Sequence, residues 1–149
     1  MKKWIVGAVV TMTALLGIGV GAGSAAADYP RQVPRVGIAG DVVHTMGVNN
    51  DCSGGVHVSL KNDRRKPGWM QVNFRSDGFT KDHCKIGLKF SWFDAKLPFH
   101  HETYFNLEGT RARGKLLAQR AVHVGQGVNL VAVNSLHPLS YGVSYYTLN

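Results

Sequence analysis

The feature that most constrains this chain is the alternation of apolar and polar residues at every second position. Cys84, Ile86, Leu88, Phe90 and Trp92 alternate with Lys85, Gly87, Lys89 and Ser91. Successive side chains of an extended strand point to opposite faces, so this stretch has one greasy face and one basic or small face. The same period recurs along the chain. Val56, Val58 and Leu60 alternate with His57 and Ser59, and Met70, Val72 and Phe74 with Gln71, Asn73 and Arg75. Thr103, Phe105 and Leu107 alternate with Glu102, Tyr104 and Asn106. Val128, Leu130 and Ala132 read as a further strand, Tyr141, Val143 and Tyr145 as the last, and residues 42–48 as an early one. Residues 115–124 admit a strand with Leu116, Ala118, Val122 and Val124 on one face. They also admit a short helix carrying Leu116, Leu117, Arg120, Ala121 and Val124. The following Gly125-Gln126-Gly127 suits a hairpin turn and favours the strand.

Turn signals punctuate these runs: Asn49-Asn50-Asp51, Pro67-Gly68, Ser76-Asp77-Gly78, Glu108-Gly109 and His137-Pro138. Seven to eight short antiparallel strands so spaced predict an all-β fold, specifically an immunoglobulin-like β-sandwich. If the strands run alternately up and down, one end gathers Arg64, Arg65, Lys66, Lys96, His100 and His101. The other gathers Lys81, His83, Arg111, Arg113, Lys115 and His137.

Ahead of the strands lies a segment of another kind. Lys2 and Lys3 precede an uncharged apolar run over residues 4–20, and Gly21-Ala22-Gly23-Ser24-Ala25-Ala26-Ala27-Asp28 follows. A basic start, an apolar stretch and a small-residue site predict a Sec-type signal helix cleaved after Ala27. A transmembrane anchor is the other reading of such a run. The Gly, Ala and Thr content and the cleavage site favour removal, which leaves no transmembrane anchor. The expected organisation is a signal peptide over residues 1–27 and one domain over residues 28–149, secreted or extracytoplasmic. Residues 28–35, with Pro30 and Pro34, read as a loose N-terminal arm.

Export changes the meaning of the cysteines. Cys52 and Cys84 are the only two, and an even pair in an oxidising compartment predicts a disulfide. Each has the parity of the apolar residues on its own strand, which points both thiols inward. The chain carries 17 Lys and Arg against 9 Asp and Glu, a net charge of +8, and losing Lys2 and Lys3 lowers this to +6. A basic exported domain attracts anionic polymer, lipid head groups and nucleic acid in a salt-dependent way.

No residue set stands out as a catalytic or metal centre. Asp51-Cys52-Ser53-Gly54-Gly55 lacks the base and the orienting acid that a serine nucleophile needs, and reads as a turn before a strand. The seven histidines lack the convergent spacing of a zinc site. His100 and His101 are adjacent, so on a strand they face opposite ways. No metal and no cofactor are expected. The basic loops Arg64-Arg65-Lys66 and Arg111-Ala112-Arg113-Gly114-Lys115 are candidate phosphate clamps.

Two resemblances bear on function. His101-Glu102 followed by Gly109-Thr110-Arg111-Ala112-Arg113-Gly114 resembles the active strand and basic loop of secreted guanyl-specific ribonucleases. That resemblance implies a phosphodiesterase with Glu102 as general base, Arg111 and Arg113 as phosphate clamps and His137 as general acid. Nucleic acid is a partner only under this reading. The chain departs from that pattern where Lys115-Leu116-Leu117 follows the glycine and where Pro138 follows His137. Second, Cys52-Ser53-Gly54-Gly55 before Val56-His57-Val58-Ser59, Pro98-Phe99-His100-His101-Glu102 and Gly142-Val143-Ser144-Tyr145-Tyr146 resemble small exported actinobacterial sandwich proteins. This implies fold and export without an activity. The leading expectation is a non-enzymatic binding module at the cell envelope. It would use its basic end loops on an anionic polymer, a lipid or a protein.

Overall fold

A computed structural model describes residues 31–33, 35–36, 40–63, 65–94, 100–140 and 142–148. The expected signal helix, Arg64, Lys96 and Tyr141 lie outside them. Among the described residues there is no helix long and apolar enough to cross a membrane.

The described chain is all-β, with every strand pair antiparallel. Two short strands, β1 (Arg31–Gln32) and β2 (Arg35–Val36), precede eight longer ones. These are β3 (Val42–Met46), β4 (Ser53–Asn62), β5 (Trp69–Phe79), β6 (Cys84–Phe93), β7 (His100–Gly109), β8 (Leu116–His123), β9 (Val128–Ser135) and β10 (Val143–Leu148). The first sheet runs β1-β4-β5-β8, with β3 also on β4; the second runs β2-β10-β9-β6-β7. Within the stretch read as a loose arm, β1 pairs with β4 and β2 with β10. Val33 between them is buried, and its N–H donates to the Leu60 carbonyl at 2.8 Å. The described part of that stretch is therefore tied to both sheets.

The alternation sets the two inner faces. Val56, Val58, Leu60, Met70, Val72 and Phe74 from the first sheet meet Ile86, Leu88, Phe90, Val131, Val133 and Val143 from the second, all buried. Three directed contacts cross between the sheets. The Cys52–Cys84 disulfide joins the start of β4 to β6 with Cα atoms 5.9 Å apart. The Tyr145 hydroxyl donates to the Val58 carbonyl at 2.9 Å. Thr45 and Ser135 share a hydroxyl bond of 2.5 Å.

Three details differ from the reading of the sequence. Residues 116–123 form strand β8, but Leu116 is exposed, because the pairing with β5 shifts register between Phe74 and Arg75. In β9 the buried residues are Asn129, Val131, Val133 and Ser135, so Leu130 and Ala132 lie on the opposite face. Pairing of Trp92 with Val131 and Phe90 with Val133 sets that parity. Ser76-Asp77-Gly78 is a bulge inside β5 and not a turn: Gly54 pairs with Phe79 and Val56 with Ser76. The extra residues bend the strand, and Gly78 takes φ +101°.

Candidate functional site

Strand direction distributes the loops between two ends. The β3–β4, β5–β6, β7–β8 and β9–β10 connections share the end that holds the disulfide. The β4–β5, β6–β7 and β8–β9 connections lie at the other.

At the disulfide end, the loop between β7 and β8 carries Arg111, Arg113 and Lys115, all exposed. Its backbone is pinned from several sides. The Gly114 N–H donates to the Ser76 carbonyl at 2.7 Å, and the Ser76 N–H to the Lys115 carbonyl at 2.8 Å. The Ser76 hydroxyl donates to the Thr110 carbonyl at 2.6 Å, and the Arg75 guanidinium to the Gly114 carbonyl at 2.9 Å. Asp82 accepts from the Thr110 hydroxyl and from the Arg111 N–H. These two bonds, led by Thr110, hold its carboxyl below the ordinary aspartate range. Gly78 makes room for the Arg113 side chain: a Cβ there would stand 3.2 Å from Nε.

The charges around this loop are unevenly paired. Lys81 pairs with Asp51, and His83 contacts Glu108. The ion pairs among the described residues do not include Arg111, Arg113 or Lys115. The Arg111 Nε instead donates to the Thr80 carbonyl at 3.1 Å. Beside the loop is a cleft of about 450 Å³ whose walls include Asp82, His83, Glu108 and Lys115.

The other basic loop lies at the opposite end and is partly neutralised. Arg65 grips Asp63 through Nε at 3.1 Å and Nη2 at 3.2 Å. That fork keeps the Asp63 carboxyl below its usual range. Lys66 is exposed in the same turn, and Arg64 lies outside the described residues. The ten-residue strand β4 separates the two loops by roughly 30 Å of rise.

The ribonuclease-like set does not converge. Glu102 and Gly109 both lie on the continuous strand β7, seven positions and roughly 23 Å of rise apart. Glu102 therefore stands near the far end from Arg111 and Arg113. It accepts from the Tyr104 hydroxyl and lies 3.8 Å from the Lys89 ammonium. The Tyr104 bond, then Lys89 and His100, lowers its pKa, the wrong direction for a general base. His137 is at the disulfide end but beside β3, where its carbonyl accepts from the Met46 N–H at 2.9 Å. The Arg111 loop follows β7, at the opposite side of the sandwich.

A second cleft, which reading the sequence had not assembled, opens at the far end. Its volume is about 590 Å³, and Trp92, Asp94, His101, His123, Val124, Gly125 and Gln126 line it. The β6–β7 hairpin pairs Trp92 with His101. Their rings stack with centroids 5.2 Å apart and planes 16° apart. The His101 Nε2 lies 3.3 Å from Asp94 Oδ2. His123, on the facing sheet, packs tilted against Trp69. Gly125, at φ +85°, brings the β8–β9 turn against Asp94; a Cβ there would stand 3.5 Å from Oδ2. His100 faces outward and stacks on Phe93, so the adjacent histidines do point opposite ways. Among the described residues no group of three or more His, Cys, Asp or Glu is placed to hold a metal ion. The signal in the sequence was parity: His101 shares the inward parity of Thr103 and Phe105, and its hairpin partner is an aromatic.

No family model matches the chain, and neither the curated proteins nor the solved structures provide a match.

Proposed function

We propose that this chain is an exported, non-enzymatic β-sandwich that binds an anionic polymer of the cell envelope through the loop at its disulfide end. One observation carries the reading. Arg111, Arg113 and Lys115 sit exposed on a loop whose backbone is held by at least five hydrogen bonds, and no carboxylate of the described residues forms an ion pair with them. Cations fixed in place before binding lose little conformational entropy on meeting a polyanion. Arg113 and Lys115 have no ion-pair partner among the described residues to give up.

Export is part of the same proposal. Its support is the basic, apolar and small-residue pattern up to Ala27, and the disulfide accords with an oxidising compartment. Mass measurement of the protein recovered outside the cell tests it, with Asp28 expected as the first residue. An immunoglobulin-like arrangement, and kinship with small exported actinobacterial sandwich proteins, are proposals of the same standing. The cross-sheet disulfide supports the first and the motifs quoted above support the second.

Binding is tested with inorganic polyphosphate as the polyanion. Affinity should fall steeply with added salt. Arg113→Glu with Lys115→Glu should weaken it at least tenfold, and phosphatidylglycerol vesicles should bind less well than the polymer. Equal binding by the double variant would overturn the reading. Sustained RNA cleavage lost in Glu102→Ala would replace it with the phosphodiesterase.

A further inference from the structure

The cleft at the end away from the disulfide is built from parts that suit one class of ligand. We propose that it binds a neutral saccharide, with vicinal hydroxyls held by Asp94 and Gln126 against the wall formed by the Trp92–His101 stack.

Three observations carry this. First, the cleft holds about 590 Å³, within the range of small-ligand sites. It combines ring surfaces with a few polar groups, and sugars present both an apolar C–H face and a hydroxyl edge. Second, the walls are fixed by structure. The Trp92–His101 stack follows from hairpin register, and Asp94 is held by His101 at 3.3 Å with its side chain only 14% exposed. Gly125, at a φ of +85°, lines the cleft directly beside Asp94. Third, charge selects against the alternatives. Asp94 repels anions, so phosphate and carboxylate ligands are disfavoured. The carboxylate is already engaged by the His101 ring at 3.3 Å, which disfavours a simple cation. A neutral polyol remains. This site lies at the other end from Arg111–Lys115 and does not depend on the polyanion reading.

The test is a ¹⁵N–¹H NMR titration of the purified protein with glucose, galactose, mannose and N-acetylglucosamine. Tetramethylammonium and inorganic phosphate serve as the charged probes. At least one sugar should give saturating shifts at Trp92, His101, Gly125 and Gln126, with a dissociation constant on the order of 1 mM. Gln126→Ala, at an exposed position, should weaken that binding about threefold or more, and Asp94→Asn about tenfold. Because Asp94 is also tied to His101, its variant is read only after a melting curve shows that it folds. Gln126→Ala decides the matter if it does not. Absence of shifts with all four sugars overturns the proposal. So does preferential saturation by tetramethylammonium or phosphate, and so does undiminished sugar binding in Gln126→Ala.

Discussion

Asp82 shows how a single carboxylate organises a basic loop. It takes the Thr110 hydroxyl and the Arg111 N–H, and those bonds favour its ionised form, so its pKa falls on folding. A carboxyl with a lowered folded-state pKa contributes stability above its unfolded value and loses that contribution as pH falls through the folded one. Asp51, held chiefly by Lys81, and Asp63, held chiefly by Arg65, act in the same direction, as does Glu102 through Tyr104. The denaturant midpoint should therefore hold near neutral pH and fall below about pH 4. In Asp82→Asn the midpoint at pH 7 should drop and the acid decline should become shallower. Urea titrations from pH 7 to pH 3 measure both. An unchanged acid slope would show that Asp82 is not a contributor. The cations of this loop were legible as residues in the sequence, whereas their pairing was not. Asp82 is 29 positions from Arg111, and only the fold brings it there.

At the scale of elements, Phe79 ends β5 between Gly54 of the paired strand β4 and Gly109 of β7 in the facing sheet. A Cβ at Gly54 would stand 2.5 Å from the ring, and one at Gly109 would stand 2.7 Å from it. Both distances are far shorter than van der Waals contact, so each glycine is required by close packing and not by turn geometry. Gly109→Ala should destabilise the domain by about 1–3 kcal/mol through overpacking. Phe79→Leu in the same chain should recover part of that loss, and thermal melts of the two variants check it. Glu108-Gly109 read from sequence as a turn signal, yet Gly109 pairs with Cys84 inside the sheet. The same ambiguity recurs elsewhere. Strand β6 was plain because its polar residues are truly polar or small. Strand β9 was not, because Leu130 and Ala132 alternate with Val131 and Val133, leaving apolar residues of both parities. Register with β6 decides the matter, and register is a long-range property. The cleft shares this fate: Trp92 and His101 face each other through hairpin pairing, while His123 arrives from the other sheet.

At the scale of the whole molecule, the described residues form two sheets whose apolar faces fix their separation without fixing their alignment. Alignment comes from directed contacts: the disulfide at one end, the Tyr145 bond to Val58, and the Thr45–Ser135 hydroxyl pair. Of these the disulfide acts on both states of the chain. It spans a sequence separation of 32, and closing a loop of that length restricts the unfolded ensemble by about 3–4 kcal/mol on the chain-entropy account. The net stability of a folded domain is only about 5–15 kcal/mol in total, so this share is large. Cys84 is fully buried, so serine would leave an unmatched hydroxyl in the core, and alanine is the cleaner replacement. Cys52→Ala with Cys84→Ala should lower unfolding free energy by about 3 kcal/mol or more, the lost sulfur packing adding to the entropic share. Urea unfolding of the oxidised, reduced and double-alanine proteins separates these parts, since reduction removes the link and keeps the sulfurs. The loop of Arg111, Arg113 and Lys115 hangs on Ser76 and Asp82, close in sequence to Cys84. Its amides should therefore exchange faster in the reduced protein than those of the β8–β9 turn at the other end. Equal stability of oxidised and reduced protein would mean that packing and the two hydroxyl contacts align the sheets without the disulfide. In that case the basic loop owes its rigidity to its hydrogen bonds and not to the disulfide beside it.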